Sequence, residues 1–360
     1  MKAVQFSAYG ALPKIADVPD PRCPSDGVVV SVSATGVCRS DWHAWMGHDP
    51  VQLPHVPGHE MAGRVLRVGT DVRTWSVGDR VTVPFVCGCG QCEVCAAGEP
   101  QVCPQQTQPG FTGQGSFAQH MALRYADANL IALPDAIDDV TAASLGCRFA
   151  TAYRALSVHG RLRAGHVLAV YGCGGVGLSA VLIGVALGAT VVAIDPRPAA
   201  RQMARDLGAQ VACDSTENVA GVAAQIQALG GAHVSMDAVG RADTAIASVS
   251  SLRRRGRHLQ VGLLFGEHAR PAVPMDRVVA HELEIYGSHG MAAHEYPAML
   301  AAIANGTLDP RPLVGAVIPL EEAGQALAAM SDPTADAAVG MTVVRLDGLS
   351  AGASEAPRRA

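Results

Sequence analysis

Val167-Leu168-Ala169-Val170-Tyr171-Gly172-Cys173-Gly174-Gly175-Val176-Gly177 decides how the chain folds. Five apolar residues read as a buried strand, and the glycines after it open a helix over 175–187. Val191-Val192-Ala193-Ile194 is a second strand, and Asp195 ends it, 23 residues after Gly172. A Gly-x-Gly-x-x-Gly turn between strand and helix lets the backbone approach a pyrophosphate, and the helix N-terminus adds positive potential. Asp195 suits the adenosine ribose hydroxyls and repels a 2′-phosphate, so NAD is favoured over NADP, a preference that Arg197 and Arg201 nearby weaken. Gly172, Gly174, Gly175 and Gly177 are therefore candidate cofactor contacts.

Val167 to Ile194 holds no charged residue over 28 positions, enough to cross a bilayer. Its six glycines, grouped as a turn and a helix-packing face, fit strand, loop, helix and strand better. Downstream, helices over 198–207, 218–229 and 242–252 alternate with strands at 233–237, 256–263 and 284–286. Alternation of this kind predicts a doubly wound parallel sheet. The run Arg253-Arg254-Arg255-Gly256-Arg257 is expected to close a helix and turn into a strand. No extended basic tract accompanies the net charge of −5, which argues against a nucleic-acid partner.

Upstream, residues 1–85 are β-rich. Val28–Val32, Gly63–Val68 and Val77–Val83 alternate or are β-branched, and prolines at 13, 19, 21, 24, 50, 54 and 57 forbid long helices. A small barrel-like or folded-sheet domain is expected. Residues 88–115 lack apolar periodicity and need an external staple. Cys89-x2-Cys92-x2-Cys95-x7-Cys103 supplies one: four thiolates that close a tetrahedral structural zinc site. Cys87 blurs the register, but the even spacing favours the later four. After 290 come helices over 292–305 and 320–330 and a strand over 341–346, and 348–360 reads as a disordered tail.

A second metal site is written across Cys38-Arg39-Ser40-Asp41-Trp42-His43 and Gly58-His59-Glu60. Thiolate and imidazole are zinc ligands, and carboxylates placed like Asp41 and Glu60 orient a ligand histidine. Ser40 and His43 add a hydroxyl and an imidazole for a short proton path. Cys147 lies where the chain passes from one region to the other. It reads either as a core cysteine or as the third ligand, and three protein ligands leave a zinc position open. The ten cysteines, with no signal-peptide segment, argue for metal ligation and a cytoplasmic protein over disulfides.

Taken together, these motifs resemble the zinc-dependent alcohol dehydrogenases of the medium-chain dehydrogenase/reductase superfamily. Gly58-His59-Glu60-x2-Gly63-x5-Gly69-x2-Val72 matches the family's zinc signature, and the cysteine lobe and glycine loop follow in order, so the likeness covers roughly 1–345. It implies a GroES-like catalytic domain over 1–147 and 291–347, with the lobe at 87–104 and a Rossmann domain over 148–290. It further implies Cys38, His59 and Cys147 as catalytic zinc ligands with Glu60 and Asp41 close by, and Ser40 and His43 as proton relay. Arg39 would contact the pyrophosphate, Thr151 and Val176 the nicotinamide, and Phe85 the substrate-pocket wall. The expected reaction is reversible oxidation of a primary or secondary alcohol to aldehyde or ketone, with two zinc ions per chain and NAD. The alternatives are a polyol, amino-alcohol or aldehyde-adduct substrate, or a non-catalytic NAD- and zinc-binding protein. Arg148, after the third ligand, departs from the small residue of many relatives. It is read as an ion-pair partner or as a selector of anionic or polar substrates. The short link from Cys103 to the strand near His120 is similar to tetrameric microbial members, so a homo-oligomer without membrane contact is expected.

Overall fold

A computed structural model describes residues 1–216, 218–332 and 339–346. Strands β1 (Lys2–Gln5) and β2 (Lys14–Asp17) form an antiparallel pair. Then come β3 (Val28–Val37), β4 (Glu60–Val68), β5 (Arg80–Thr82), β6 (His120–Leu123) and β7 (Ile131–Ala132). The next six are β8 (Val167–Tyr171), β9 (Thr190–Ile194), β10 (Val211–Cys213), β11 (Ala232–Asp237), β12 (Leu252–Gln260) and β13 (Glu284–Gly287). Strands β14 (Val314–Pro319) and β15 (Met341–Arg345) follow.

The mixed sheet runs β14-β15-β3-β4-β5-β7, with β6 also on β3. Its centre is β3, whose valines are buried and whose pairing with β4 slips between Val29 and Val30 and again between Val32 and Ala34. Such slips bend a strand, and here they curl the sheet into the folded shape its turns predict. The register matters for function: Gly36 faces Glu60. Cys38 and His59, each just past a paired end, are thereby brought to the same spot.

The second sheet is parallel, ordered β10-β9-β8-β11-β12-β13. The order reverses between β8 and β11, which opens a crevice at their carboxyl ends, where ligands bind in such sheets. The uncharged stretch resolves into β8, the glycine turn, a helix at Gly175–Ala186 and β9. No helix among the described residues is long and apolar enough to cross a membrane.

The arginine run departs from expectation. The preceding helix ends at Ser250, and Arg253–Arg257 lie within β12 itself. Pairing with β11 jumps from Leu252 to Arg257, so the extra residues bulge outward, and Arg257 meets Glu284 at 2.9 Å. Bulging keeps the guanidinium groups at the rim of the sheet, where water and carboxylates solvate them. The helix expected over 292–305 begins at Tyr296, after a single tighter turn at Ala293–Glu295. The tail expected over 348–360 lies outside the described residues.

Between the sheets, Asp139–Gly160 is almost continuously helical. Asp138 caps it by accepting from Thr141 N at 2.9 Å. Leu145–Phe149 and Ala155–His159 are wide, five-residue-period turns, a local geometry that recurs at functional sites. One hydrophobic core passes through this segment and is shared by both sheets. Arg154, 7% exposed, ties neighbours to it: its guanidinium bonds Glu99 of the cysteine lobe, Glu295 and His159, each at 2.9–3.0 Å.

Candidate active site

Cys38 and His59 come from the facing ends of β3 and β4, and Cys147 from the first wide helical turn. All three are buried, and their ligand atoms lie within 4.8 Å of one another. Asp41 organises them. Its carboxylate accepts from Cys38 N at 3.0 Å, from Gly58 N at 3.0 Å and from His59 Nδ1 at 2.8 Å. That last bond assigns the proton to Nδ1 and turns the Nε2 lone pair inward. His59 Nε2 is fully buried and has no hydrogen-bond partner. An orphaned imidazole nitrogen facing two thiols is costly unless a metal takes it. The donor set is the nitrogen–sulfur set zinc prefers. The Cys147 thiol and the His59 ring draw Cys38 well below the ordinary thiol range, while Cys147 is pushed up by Cys38 and by burial. Cys38 is thus the first thiolate.

Glu60 does not orient His59; Asp41, three residues after the other ligand Cys38, has that part. Glu60 accepts from Cys147 N at 3.2 Å and Arg148 N at 3.0 Å, and its carboxylate takes Arg148 Nη2 at 2.5 Å. Both charges are buried, so Arg148 is an ion-pair partner that braces the Cys147 turn. Its stem continues to the glycine loop, where a Cβ on Gly175 would lie 2.4 Å from Arg148 Cδ.

That loop has the shape of a phosphate cradle. A Cβ on Gly177 would sit 1.7 Å from Gly172 O, and Gly172 has φ +91, both of which demand glycine. A Cβ on Gly174 would meet nothing within 4 Å, so the space beside it is open at the helix N-terminus. Asp195 is buried and accepts from Cys173 N at 2.7 Å and from Arg197 Nε at 3.1 Å. Arg201 instead pairs with Asp214 at 2.8 Å. Thr151 is buried one turn beyond Cys147, and Val176 packs on the shared core at the start of the loop's helix.

Arg39, Ser40 and His43 share a short helix, Arg39–Trp45. Cys38 Sγ lies 3.9 Å from Ser40 Oγ, so that hydroxyl borders the metal pocket. His43 Nδ1 meets His48 Nδ1 at 3.1 Å. Arg39 Nη1 donates to Met330 O at 2.6 Å and its guanidinium lies over Trp42. The ring of Phe85 is 6.1 Å from that of His59. Sequence reading passed over three neighbours. Phe111 is 5.3 Å from the His59 ring, His289 is 5.1 Å from Phe85, and His48 sits on His43. Loops far apart in the chain bring in Phe111 and His289, and the turn after the helix brings in His48; no spacing signals either.

The cysteine lobe folds as its spacing predicts. Cys89, Cys92, Cys95 and Cys103 gather within 4.8 Å, with sulfur pairs at 3.6 and 4.0 Å. Zinc–sulfur bonds of about 2.3 Å in a tetrahedron give edges of about 3.8 Å. N–H groups from Gln91 and Cys92 hold Cys89 down to about 6, ready to ionise. Cys87 stands outside, its thiol pushed up to about 12 by burial.

Residues 24–135 match the alcohol dehydrogenase GroES-like domain family, and residues 175–305 the zinc-binding dehydrogenase family. An alcohol dehydrogenase of Geobacillus stearothermophilus is 33% identical over 292 residues, covering 80% of this chain and 84% of that protein. Alcohol dehydrogenase TADH from Thermus sp. ATN1 superposes with a TM-score of 0.87 at 29% identity, covering 96% of this chain and all of that one. An NAD-dependent alcohol dehydrogenase gives 0.84 at 27% identity, with coverages of 96% and 100%.

Proposed function

The chain belongs to the zinc-dependent alcohol dehydrogenases, and we propose that the cleft around Cys38, His59 and Cys147 is where it oxidises a primary or secondary alcohol with NAD. The observation that carries this reading is the buried, partnerless Nε2 of His59, aimed at two thiols with no fourth protein donor beside them among the described residues. Bound there, zinc supplies a Lewis acid that favours the deprotonated alcohol, and NAD supplies the hydride acceptor.

The chain's own residues do the rest. Asp41 fixes the His59 tautomer and the Cys38 backbone, while Glu60 and Arg148 hold the Cys147 turn still. Phe85 and Phe111 wall the pocket and keep water from the reacting carbon. Gly174 leaves the pyrophosphate its approach, Asp195 accepts from the ribose hydroxyls, and Arg39 and Arg197 supply nearby positive charge. Thr151 and Val176 shape the nicotinamide side. Ser40 Oγ takes the alcohol proton as its own hydroxyl proton passes to His43, which carries it onward. Burial, His48 and Arg39 hold His43 down to about 4, so it is a neutral acceptor at ordinary pH.

Cys89, Cys92, Cys95 and Cys103 hold the second, structural zinc. We further place the protein in the cytoplasm, in keeping with its ten free cysteines, as a homo-oligomer of tetramer type. The test is metal content per chain, followed by NAD reduction across short, branched, aromatic and hydroxylated alcohols. Two zinc ions and turnover are expected; zinc-replete protein that reduces no NAD with any of them would overturn the reading. Light scattering reports the assembly.

A further inference from the structure

The path above ends at His43, which is only half-buried. The helix that carries it closes at Met46, and Gly47, at φ +78, reverses the chain. His48 N then donates to His43 O at 2.9 Å, so the turn that ends the helix is what returns a second imidazole to the first. Trp42 packs edge-on against both rings, at 5.0 and 5.3 Å, and Phe265 from the parallel-sheet side lies 5.1 Å from His43. His48 itself is exposed.

Two imidazoles that meet Nδ1 to Nδ1 at 3.1 Å share one proton, one ring donating and the other accepting. With Nδ1 of His43 engaged, only its Nε2 is left to receive a proton from the Ser40 side. Protonation there leaves Nδ1–H as the donor, aimed at His48. The charged groups acting on His43 are Arg39 and Cys38 on its own segment and His48 on the turn after it; the loop packed on it from the other half contributes the uncharged ring of Phe265.

We propose that His48 is the exit of the proton path: it accepts at Nδ1 the proton that His43 releases and gives its own Nε2 proton to water. The inference rests on the reading of His43 as the relay. The balance is complete, since the alcohol carbon gives its hydride to NAD and the hydroxyl proton leaves by this route. Each ring gains one proton at one nitrogen and loses one at the other, ending in its starting charge. His48 acts through His43 and is a positioning residue, fixing which His43 nitrogen faces inward.

The experiment follows proton release with an indicator dye and NADH formation by absorbance, in zinc-loaded wild type, His48→Ala, His43→Ala and the double variant. His48→Ala is expected to slow proton release and turnover roughly 10- to 100-fold, at the lower end of what proton-transfer groups contribute. Added imidazole should restore both, the solvent deuterium isotope effect on kcat should rise, and the Kd for NAD should stay the same. In the His43→Ala background, His48→Ala should add nothing. Unchanged release and isotope effect in His48→Ala, with His43→Ala impaired, would overturn the inference alone. A His48→Ala defect that imidazole cannot repair, or that persists without His43, would also overturn it by making the residue merely structural. An unimpaired His43→Ala would overturn the relay reading together with it.

Discussion

Replacing Arg148 with methionine keeps most of the stem under Gly175 and removes the guanidinium from Glu60. The structure gives the expected cost. Glu60 is fully buried and Arg148 nearly so, at 0% and 7% side-chain exposure, and the pair bond is 2.5 Å long. Cutting one member of such a pair strands a charge in the interior, which costs about 3–5 kcal/mol. Burial already lifts the Glu60 carboxyl above its usual range while Arg148 holds it back, so its loss drives Glu60 to take up a proton. With a urea m-value of about 3 kcal/mol/M, the midpoint should fall by about 1–1.7 M. The double variant Glu60→Gln/Arg148→Met should lose less than Arg148→Met alone, because no buried charge is left behind. The ratio of activities on neutral and carboxylated aldehydes should not change, since the guanidinium is spent on Glu60. A stability loss under about 1 kcal/mol, the scale of an exposed pair, would refute the reasoning. So would a selective collapse on the carboxylated substrate, which would make Arg148 a selector.

Asp41→Asn keeps the shape but removes the carboxylate that His59 Nδ1 needs; metal affinity measured against a chelator should fall about 10- to 100-fold. Gly174→Ala should leave the urea midpoint unchanged and raise the Kd for NAD about tenfold or more, about 1.4 kcal/mol, because its Cβ meets no protein atom and points into the open space proposed for the pyrophosphate. Gly177→Ala should instead damage the fold itself, as its Cβ meets Gly172 O, and the two variants part company in thermal melts. Cys103→Ser should release one zinc of two and expose 88–104 to limited proteolysis, since that lobe has metal in place of a core; an intact lobe with one zinc per chain would contradict this.

What the sequence made legible was local: residue types at short spacing. The glycine turn between two apolar runs announced the parallel sheet, and four cysteines within fifteen positions announced the lobe. Cys38 and His59 could be paired because a thiolate and an imidazole, each with an acid close by in sequence, are the donors zinc prefers. Cys147 was placed by its position at the junction, yet nothing in its surroundings disclosed the wide helical turn that presents it. Both carboxylates were visible as orienting groups, but only Asp41 is one, because it reaches across to His59 once β3 and β4 align, while Glu60 goes to Arg148. Phe111 and His289 arrive by tertiary folding, while His48 arrives by a local turn, and a histidine five residues past another carries no period that marks it as a partner. The arginine run misled because adjacent charges look like a turn, whereas a bulged strand ejects them just as well.

The apolar interior runs unbroken from Ala34 and Ala62 of the mixed sheet, through Leu145, Phe149 and Leu156, to Leu168 and Val170 of the parallel sheet. Close-packed side chains resist sliding, so the two halves are stitched together at that end. Cys147 stands within that packed segment, whereas His43 and Phe265, 5.1 Å apart, meet outside it as partly exposed rings. The third metal ligand is thereby fixed by the same packing that joins the two sheets.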